Sequence, residues 1–343
     1  TGWVSRFSLT PADIEGRDMT MNIMKELGLS IRVDAIGNIR ARREGKDSTA
    51  PIVMMGSHID SVPNGGDYDG PTGVMGPLEV VRTLNENNIE TVNPIEVVVF
   101  TDEEGARFRK GTLGSAVMSG RIEWSALSNL RDDDGVTLAE ALKGIEVTGT
   151  PEELVLKKGE VKSFVELHVE QSATLEEQNS PIGNVVAITG SSHKRIRVFG
   201  SADHAGATSM DRRTDALVPA AIMIQEIERI GRSDPKKSLV CTVGKLDVLP
   251  GAMNIVPNQA TFTTDVRDTY LDTLNTAIKD IDDMVVSVAN ERGVKFEIEN
   301  LEYIPAVNMS ETMRDAIVAA CEKIGLDHID ANSRAIHDTS HMA

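Results

Sequence analysis

Hydrophobic and polar positions follow two different rhythms along this chain. In the first half, short apolar runs such as Ile52 to Met55 and Val97 to Phe100 are separated by stretches of helical spacing. Runs of that length suit strands buried on both faces. A helix is expected from Thr10, placed to cap it, to Gly28, placed to end it, with strands at Ile31 to Val33 and Asn38 to Arg42. The strand at Ile52, a helix from about Gly73 to Asn87, the strand at Ile95 and a short helix from Thr112 to Ser119 then alternate as βαβ units do. Asp132 to Gly135 reads as an acidic turn, and Phe164 to Glu170 as a further strand that includes His168. The implied class is α/β, with a mostly parallel or mixed sheet covered by helices.

From about Gly190 the rhythm changes. Arg195 to Phe199, Leu239 to Leu246, Ala260 to Val266 and Val294 to Ile298 are strand-like, while Thr214 to Ile230 and Tyr270 to Asn290 have helical periodicity. The resulting βαββαβ order is the ferredoxin-like arrangement. It predicts an inserted domain at 190–302, flanked by a discontinuous first domain at 1–189 and 303–343, to which the last helix, Glu311 to Ile324, and the segment to Ala343 return.

Composition narrows the partners. With 343 residues the chain has ample length for two domains, and 53 acidic against 35 basic side chains give a formal charge of -18. That balance argues against nucleic acid or an anionic membrane and leaves a small-molecule substrate as the expected partner. Two cysteines, Cys241 and Cys321, make no disulfide framework, and no apolar run approaches membrane-spanning length, so a cytoplasmic location is expected. The chain opens on Thr1 rather than Met and shows no signal-peptide pattern, so a longer natural chain is expected.

The chemistry concentrates in Gly56-Ser-His-Ile-Asp60, the acidic loop running to Asp69-Gly70, and Phe100-Thr-Asp-Glu-Glu-Gly105. His58 would emerge at the carboxyl end of a buried strand, where open α/β sheets place their sites. Asp60, two residues on, could orient its ring, and Asp69 could offer one oxygen to each of two cations. Adjacent carboxylates at a strand end point apart, so of Glu103 and Glu104 one can bind metal while the other moves protons. His168 and His337 add two imidazoles. A calcium loop starting at Asp67 fails, because Thr72 and Leu78 stand where Gly and Glu are needed. The glycines near Gly65 and Gly73 lack the Gly-Lys-Ser/Thr of a phosphate loop.

With these residues in view, the chain resembles the hydantoinase/carbamoylase family of dinuclear-metal amidohydrolases. The resemblance runs through Asp34-Ala-Ile-Gly-Asn38, Gly56 to Asp60, Pro63 to Gly66, Phe100 to Phe108, Glu166 to Gln171, His204-Ala-Gly206, Met210 to Ala216 and Asp265-Val-Arg267. It implies His58, Asp69 and His168 on one metal, Asp69, Glu104 and His337 on the other, and Glu103 as general base. Two divalent cations are expected, zinc first and manganese or cobalt as alternatives. A water bridging them would be acidified and would attack a carbamoyl or amide carbonyl. The resemblance further implies His204 as an oxyanion donor reaching a partner subunit's site in a homodimer, a lid and dimerisation role for the inserted domain, Asn254 and Arg267 as substrate-carboxylate ligands, and a cis peptide at Asp69-Gly70.

The chain departs from that pattern at several points. Ser191, with His193 just beyond, stands where relatives carry Gln and enters the expected substrate-binding set. Asp203 replaces the Asn before His204, Pro71 replaces a small residue, and Arg334 and Ile336 replace glycines beside His337. The metal set survives these changes, and the substrate is left open. The leading expectation is cleavage of an N-carbamoyl or ureido C–N bond in a small carboxylate-bearing substrate. The alternatives are an aminoacylase or dipeptidase on the same scaffold, and a binding protein without turnover.

Overall fold

A computed structural model describes residues 3–343. Two compact units are formed, one by the chain up to Ala173 together with His337–Ala343, the other by Thr174–Ile336. The fold is mixed α/β, and two of its three sheets combine parallel and antiparallel pairs.

In the first unit, helix α1 (Pro11–Glu26) opens on a proline whose fixed φ suits the first turn. Thr10 occupies the N-cap but spends its hydroxyl on the Phe7 carbonyl, and the Asp13 carboxylate accepts the Leu9 N–H instead. Strands β1 (Ser30–Val33), β2 (Ile39–Arg43), β3 (Ile52–His58), β4 (Ile95–Phe100) and β5 (Val161–Val165) form one sheet in the order β1-β2-β4-β3-β5. Helix α2 (Pro71–Glu86) links β3 to β4, while α3 (Leu113–Met118), α4 (Trp124–Leu127) and α5 (Leu138–Ala141) follow β4. Two apolar clusters cover the sheet's faces. One joins Met24, Ile39, Val74, Leu78, Val81, Val97 and Val99, and the other joins Met54, Val98, Phe100, Phe108, Leu113 and Val117. Buried on both faces, β4 can be apolar at nearly every position, which is why its run lacks alternation.

Register determines where the chemistry emerges. β3 runs parallel to β4 with His58 opposite Phe100, and parallel to β5 with Met55 opposite Val165. The chain therefore leaves all three strands at the same edge, carrying His58, Glu103 with Glu104, and Glu166 to His168 there. His168, expected inside a strand, lies three residues past the end of β5. Past Val165 the side chains reach back to β3 and along their own segment: Glu166 accepts the Ser57 hydroxyl and His168 Nδ1 lies against the Val169 carbonyl.

The second unit contains α6 (Thr174–Glu177), β6 (Ile182–Ile188), β7 (Gly190–Phe199), α7 (Leu217–Ser233), β8 (Val240–Leu249), β9 (Gln259–Asp268), α8 (Leu271–Arg292), β10 (Lys295–Ile304), β11 (Val307–Asn308), α9 (Glu311–Ile324) and β12 (His328–Ser333). Strands β10-β7-β9-β8 make an antiparallel sheet. Its core gathers Ile196, Val198 and Phe262 from the strands with Met223 and Ile227 of α7 and Ile281 and Val285 of α8. A second sheet, β11-β6-β12, pairs β6 in parallel with β12, which draws residues 182–188 and 328–333 into this unit. Among the described residues, no helix is long and apolar enough to cross a membrane.

Candidate active site and metal centre

Three groups of side chains converge in the first unit: His58 with Asp69 and His168, Glu166 with His168 and His337, and His58 with Glu103 and Glu104. Within each group the candidate ligand atoms lie within 4.8 Å of one another. His58 sets its Nδ1 against the Asp60 carbonyl at 3.0 Å, and its Nε2 faces the centre, 3.6 Å from Glu103 Oε2. Asp60 Oδ1 lies 3.6 Å from the same Nδ1, and its carboxylate also accepts the amide N–H groups of Glu103 at 3.2 Å and Glu104 at 3.1 Å. Asp60 is a clamp on the glutamate pair as well as a support for His58.

His168 repeats the pattern from the other side. Its Nδ1 meets the Val169 carbonyl at 3.0 Å, leaving Nε2 3.2 Å from Asp69 Oδ1, and Gln171 Nε2 donates to Asp69 Oδ2 at 3.0 Å. The His168 and His337 rings lie 4.2 Å apart between centroids, and those of His58 and His168 5.9 Å apart. Asp69 is brought beside the imidazoles by Gly70, whose φ of 80° favours glycine and where a Cβ would fall 2.5 Å from the His58 ring. Among the described residues the only cis peptide is Leu249–Pro250, so the cis bond expected at Asp69–Gly70 is absent, and the turn is made by the glycine torsion.

Two carboxylates without an assigned sequence role hold the frame. Glu166 accepts the Ser57 hydroxyl at 2.8 Å on one oxygen and both the amide and the hydroxyl of Thr339 on the other. It therefore ties the residue before His58 to the segment just past His337. Asp338, fully buried, accepts the Ser115 hydroxyl. The signal in the sequence was proximity alone: each acid stands within two residues of a histidine at the site. His337, Asp69 and Glu104, expected as one ligand set, fall in separate groups, His337 with Glu166 and His168. Arg334 is exposed, and neither it nor Ile336 has a positive φ, so the segment before His337 needs no glycine.

The electrostatics fit a cation. Burial, with Asp338 and Asp60 nearby, holds the Glu103 carboxyl well above its usual range, and burial with Asp69 and Asp60 pushes Glu104 up to about 7. Burial beside other imidazoles lowers His58 to about 4 and His337 to about 3, favouring the neutral ligand form. Asp69 is lowered by its hydrogen bond from His168, and His168 is raised because that bond and the one to Val169 outweigh its burial. One Glu104 oxygen, Oε1, is buried with no hydrogen-bond partner. Two imidazoles held neutral, crowded carboxylates and an orphaned buried oxygen form a donor set that a divalent cation satisfies.

The second unit holds the remaining expected residues. His204 pairs with Ile255 in an isolated bridge, and the Asn254 carbonyl accepts the Ala205 N–H at 2.9 Å, so His204 and Asn254 share one exposed loop pair. Ser191 lies opposite Arg267 across β7 and β9, buried, with its hydroxyl unpartnered. Arg267 makes a bidentate pair with Asp265 at 2.9 Å, and His193 stands between Asp265 at 3.3 Å and Glu302 at 3.2 Å. The arginine is thus already occupied through Nε and Nη2.

Comparison with known proteins gives a consistent picture. Residues 54–343 match the peptidase family M20/M25/M40. An N-carbamoyl-L-amino acid amidohydrolase from Geobacillus stearothermophilus is 41% identical over 345 residues, covering 100% of this chain and 83% of that protein. A ureidoglycolate hydrolase from Oryza sativa subsp. japonica is 35% identical, covering 99% of this chain and 71% of the relative. Among solved structures, an amidase of the hydantoinase/carbamoylase family from Burkholderia multivorans superposes with a TM-score of 0.88 at 35% identity, covering 100% of this chain and 82% of its own.

Proposed function

Since the chain belongs to the peptidase family M20/M25/M40, and its relatives are amidohydrolases, we propose that it hydrolyses the N-carbamoyl or ureido C–N bond of a small carboxylate-bearing compound, such as an N-carbamoyl-L-amino acid or allantoate. The observation that carries this reading is the convergence of three histidines, Asp69, Glu103 and Glu104 at one strand edge. His58, Asp69 and His168 would hold one divalent cation and Asp69, Glu104 and His337 a second, with zinc the first choice for this mixture of imidazole and carboxylate. When bound, such cations supply an acidified water and polarise the scissile carbonyl.

The chain's own groups supply the proton movements. Glu103 is buried beside His58 Nε2, and among the described residues no arginine or lysine pairs with it, which suits its carboxylate to take a proton from the attacking water. As the carbamoyl carbon becomes tetrahedral, its oxygen gains negative charge and calls for a donor, a role assigned to His204. Glu103 then returns the proton to the departing amino nitrogen. The carbamate released breaks down to ammonia and carbon dioxide, leaving the free amino acid. Asn254 and Arg267 are suited to the substrate carboxylate, with Arg267 Nη1 remaining while Asp265 holds the other guanidinium nitrogens. Residues 190–302 are proposed as a ferredoxin-like lid through which two copies associate.

The test is a screen of the metal-reconstituted protein for ammonia release from N-carbamoyl amino acids, allantoate and ureidoglycolate. Release of ammonia together with the free amino acid supports the proposal. An acyl acid or a second amino acid as product would instead assign an aminoacylase or dipeptidase, and binding without turnover would refute the hydrolase reading.

A further inference from the structure

The motif Asp34-Ala-Ile-Gly-Asn38 has no part in the chemistry above, yet it contains a fully buried amide. Asn38 is 0% exposed and sits just before β2. Its Oδ1 accepts the Thr101 N–H at 2.9 Å, and its Nδ2 donates to the Gly114 carbonyl at 3.2 Å and to Asp34 Oδ2 at 3.0 Å. Thr101, just past β4, and Gly114, in the first turn of α3, bracket the loop that carries Glu103 and Glu104, and they bond to each other through Gly114 N–H and the Thr101 carbonyl at 2.9 Å. Inside that neck, Thr112 N–H reaches the Glu103 carbonyl at 2.8 Å and Leu113 N–H the Asp102 carbonyl at 3.2 Å.

The amide has only one workable orientation. Turned over, it would set NH2 against the Thr101 N–H, and its carbonyl oxygen against both the Gly114 carbonyl and the Asp34 carboxylate. Asp34 fixes that choice, and is itself fixed by the amides of Ile36 at 3.1 Å and Asn38 at 2.9 Å. The fit is close, because a Cβ on Gly114 would lie 2.1 Å from Asn38 Oδ1.

We propose that Asn38 is a positioning residue for Glu103 and Glu104, clipping the neck of their loop to the central sheet, with Asp34 holding its amide in the productive orientation. The clip holds the ends of the loop through Thr101 and Gly114, while the Asp60 carboxylate holds the two glutamate amides within it. Together they define the backbone from which both carboxylates project. The proposal rests on the hydrolytic reading for its catalytic consequence, while the clip itself can be tested without any substrate.

The experiment compares wild type with Asn38→Asp, which keeps the shape but replaces the donor with a charge facing Asp34 and the Gly114 carbonyl. Asp34→Asn, a milder change that leaves the amide unoriented, provides a second variant should the first not fold. Hydrogen exchange on each metal-loaded protein should show amides of residues 101–114 opening at least about tenfold faster, with α8 and β9 unchanged. Ammonia release should fall on the order of 10²-fold in kcat with KM held within about twofold, since misplacing a catalytic group by about an ångström has that effect. Asn38→Gln, with a longer reach, should not restore the rate, whereas reversion of the aspartate to asparagine should. Unchanged exchange in the loop, exchange raised equally throughout the molecule, or a local opening with wild-type kcat would each overturn the proposal. A wild type that releases no product would refute the hydrolytic reading instead, with the exchange result still deciding whether the clip exists.

Discussion

Glu103 and Glu104 are neighbours in the chain with different surroundings. Glu103 is almost fully buried against His58, and Glu104, less enclosed, ends in one orphaned oxygen. The proposed division of labour predicts that Glu103→Gln keeps the metal content but loses about 10²–10⁴-fold in kcat, the usual contribution of a general base. Elemental analysis alongside kinetics checks this, and joint loss of metal and activity would make Glu103 a ligand. A second expectation concerns protons. Metal uptake needs neutral imidazoles and ionised carboxylates, yet without metal Glu104 lies near about 7 and His168 is raised. Uptake should therefore release protons, and affinity should climb as pH rises through about 7 and fall in acid, measurable with a competing zinc indicator at about pH 6 and 8. That His58, Asp69, Glu103, Glu104 and His168 would gather near one another was legible in the sequence, because strand ends and acidic pairs leave local signatures. Glu166, Asp338 and the grip of the Asp60 carboxylate on the Glu103 and Glu104 amides were not, because each acts on segments far away in sequence.

At the scale of elements, strong periodicity translated directly into structure. α9 spans Glu311–Ile324 as its pattern indicates, and α8 runs Leu271–Arg292 against an expected Tyr270 to Asn290. β6 and β12 escaped notice because neither is a clean apolar run or a clean alternation: His328–Ser333 is mostly polar, and its pairing with Ile182–Ile188 comes from a distant segment. The close approach of α2 to the site gives a prediction at this scale. A Cβ on Gly73 would fall 2.4 Å from the Leu167 carbonyl and 2.5 Å from Ser57 Cβ. Gly73→Ala should accordingly cost about 3 kcal/mol through overpacking. It should also weaken metal retention, because the helix can relieve the clash only by shifting residues next to His58 or His168. Urea unfolding followed with and without a chelator measures both effects, and a fully stable, metal-retaining variant would contradict the packing described here.

For the whole molecule, the proposed homodimer makes a specific demand on His204. If its imidazole serves a neighbouring copy, Glu103→Gln and His204→Ala, each inactive alone, should regain about a quarter of wild-type activity after mixing and subunit exchange, from the one intact site in each mixed dimer. No recovery at a confirmed mixed dimer would place His204 in its own subunit's chemistry. The charge of -18 and the βαββαβ order were both readable from the sequence, but the detailed grouping of segments into units was not, since it depends on which strands pair across long intervals.

The placement of His337, after the entire Thr174–Ile336 unit but in the same compact body as His58 and His168, also orders events in time. A ribosome delivers His58 through His168 first and His337 only after another 169 residues (337 minus 168), roughly 10–30 s at common elongation rates. During that interval the nascent chain carries a crowded acidic half-site that, on the proposed assignment, lacks His337. If His337 is the ligand proposed above, full-strength metal capture is a late step of biogenesis, and a loaded centre reports that the intervening unit has been made.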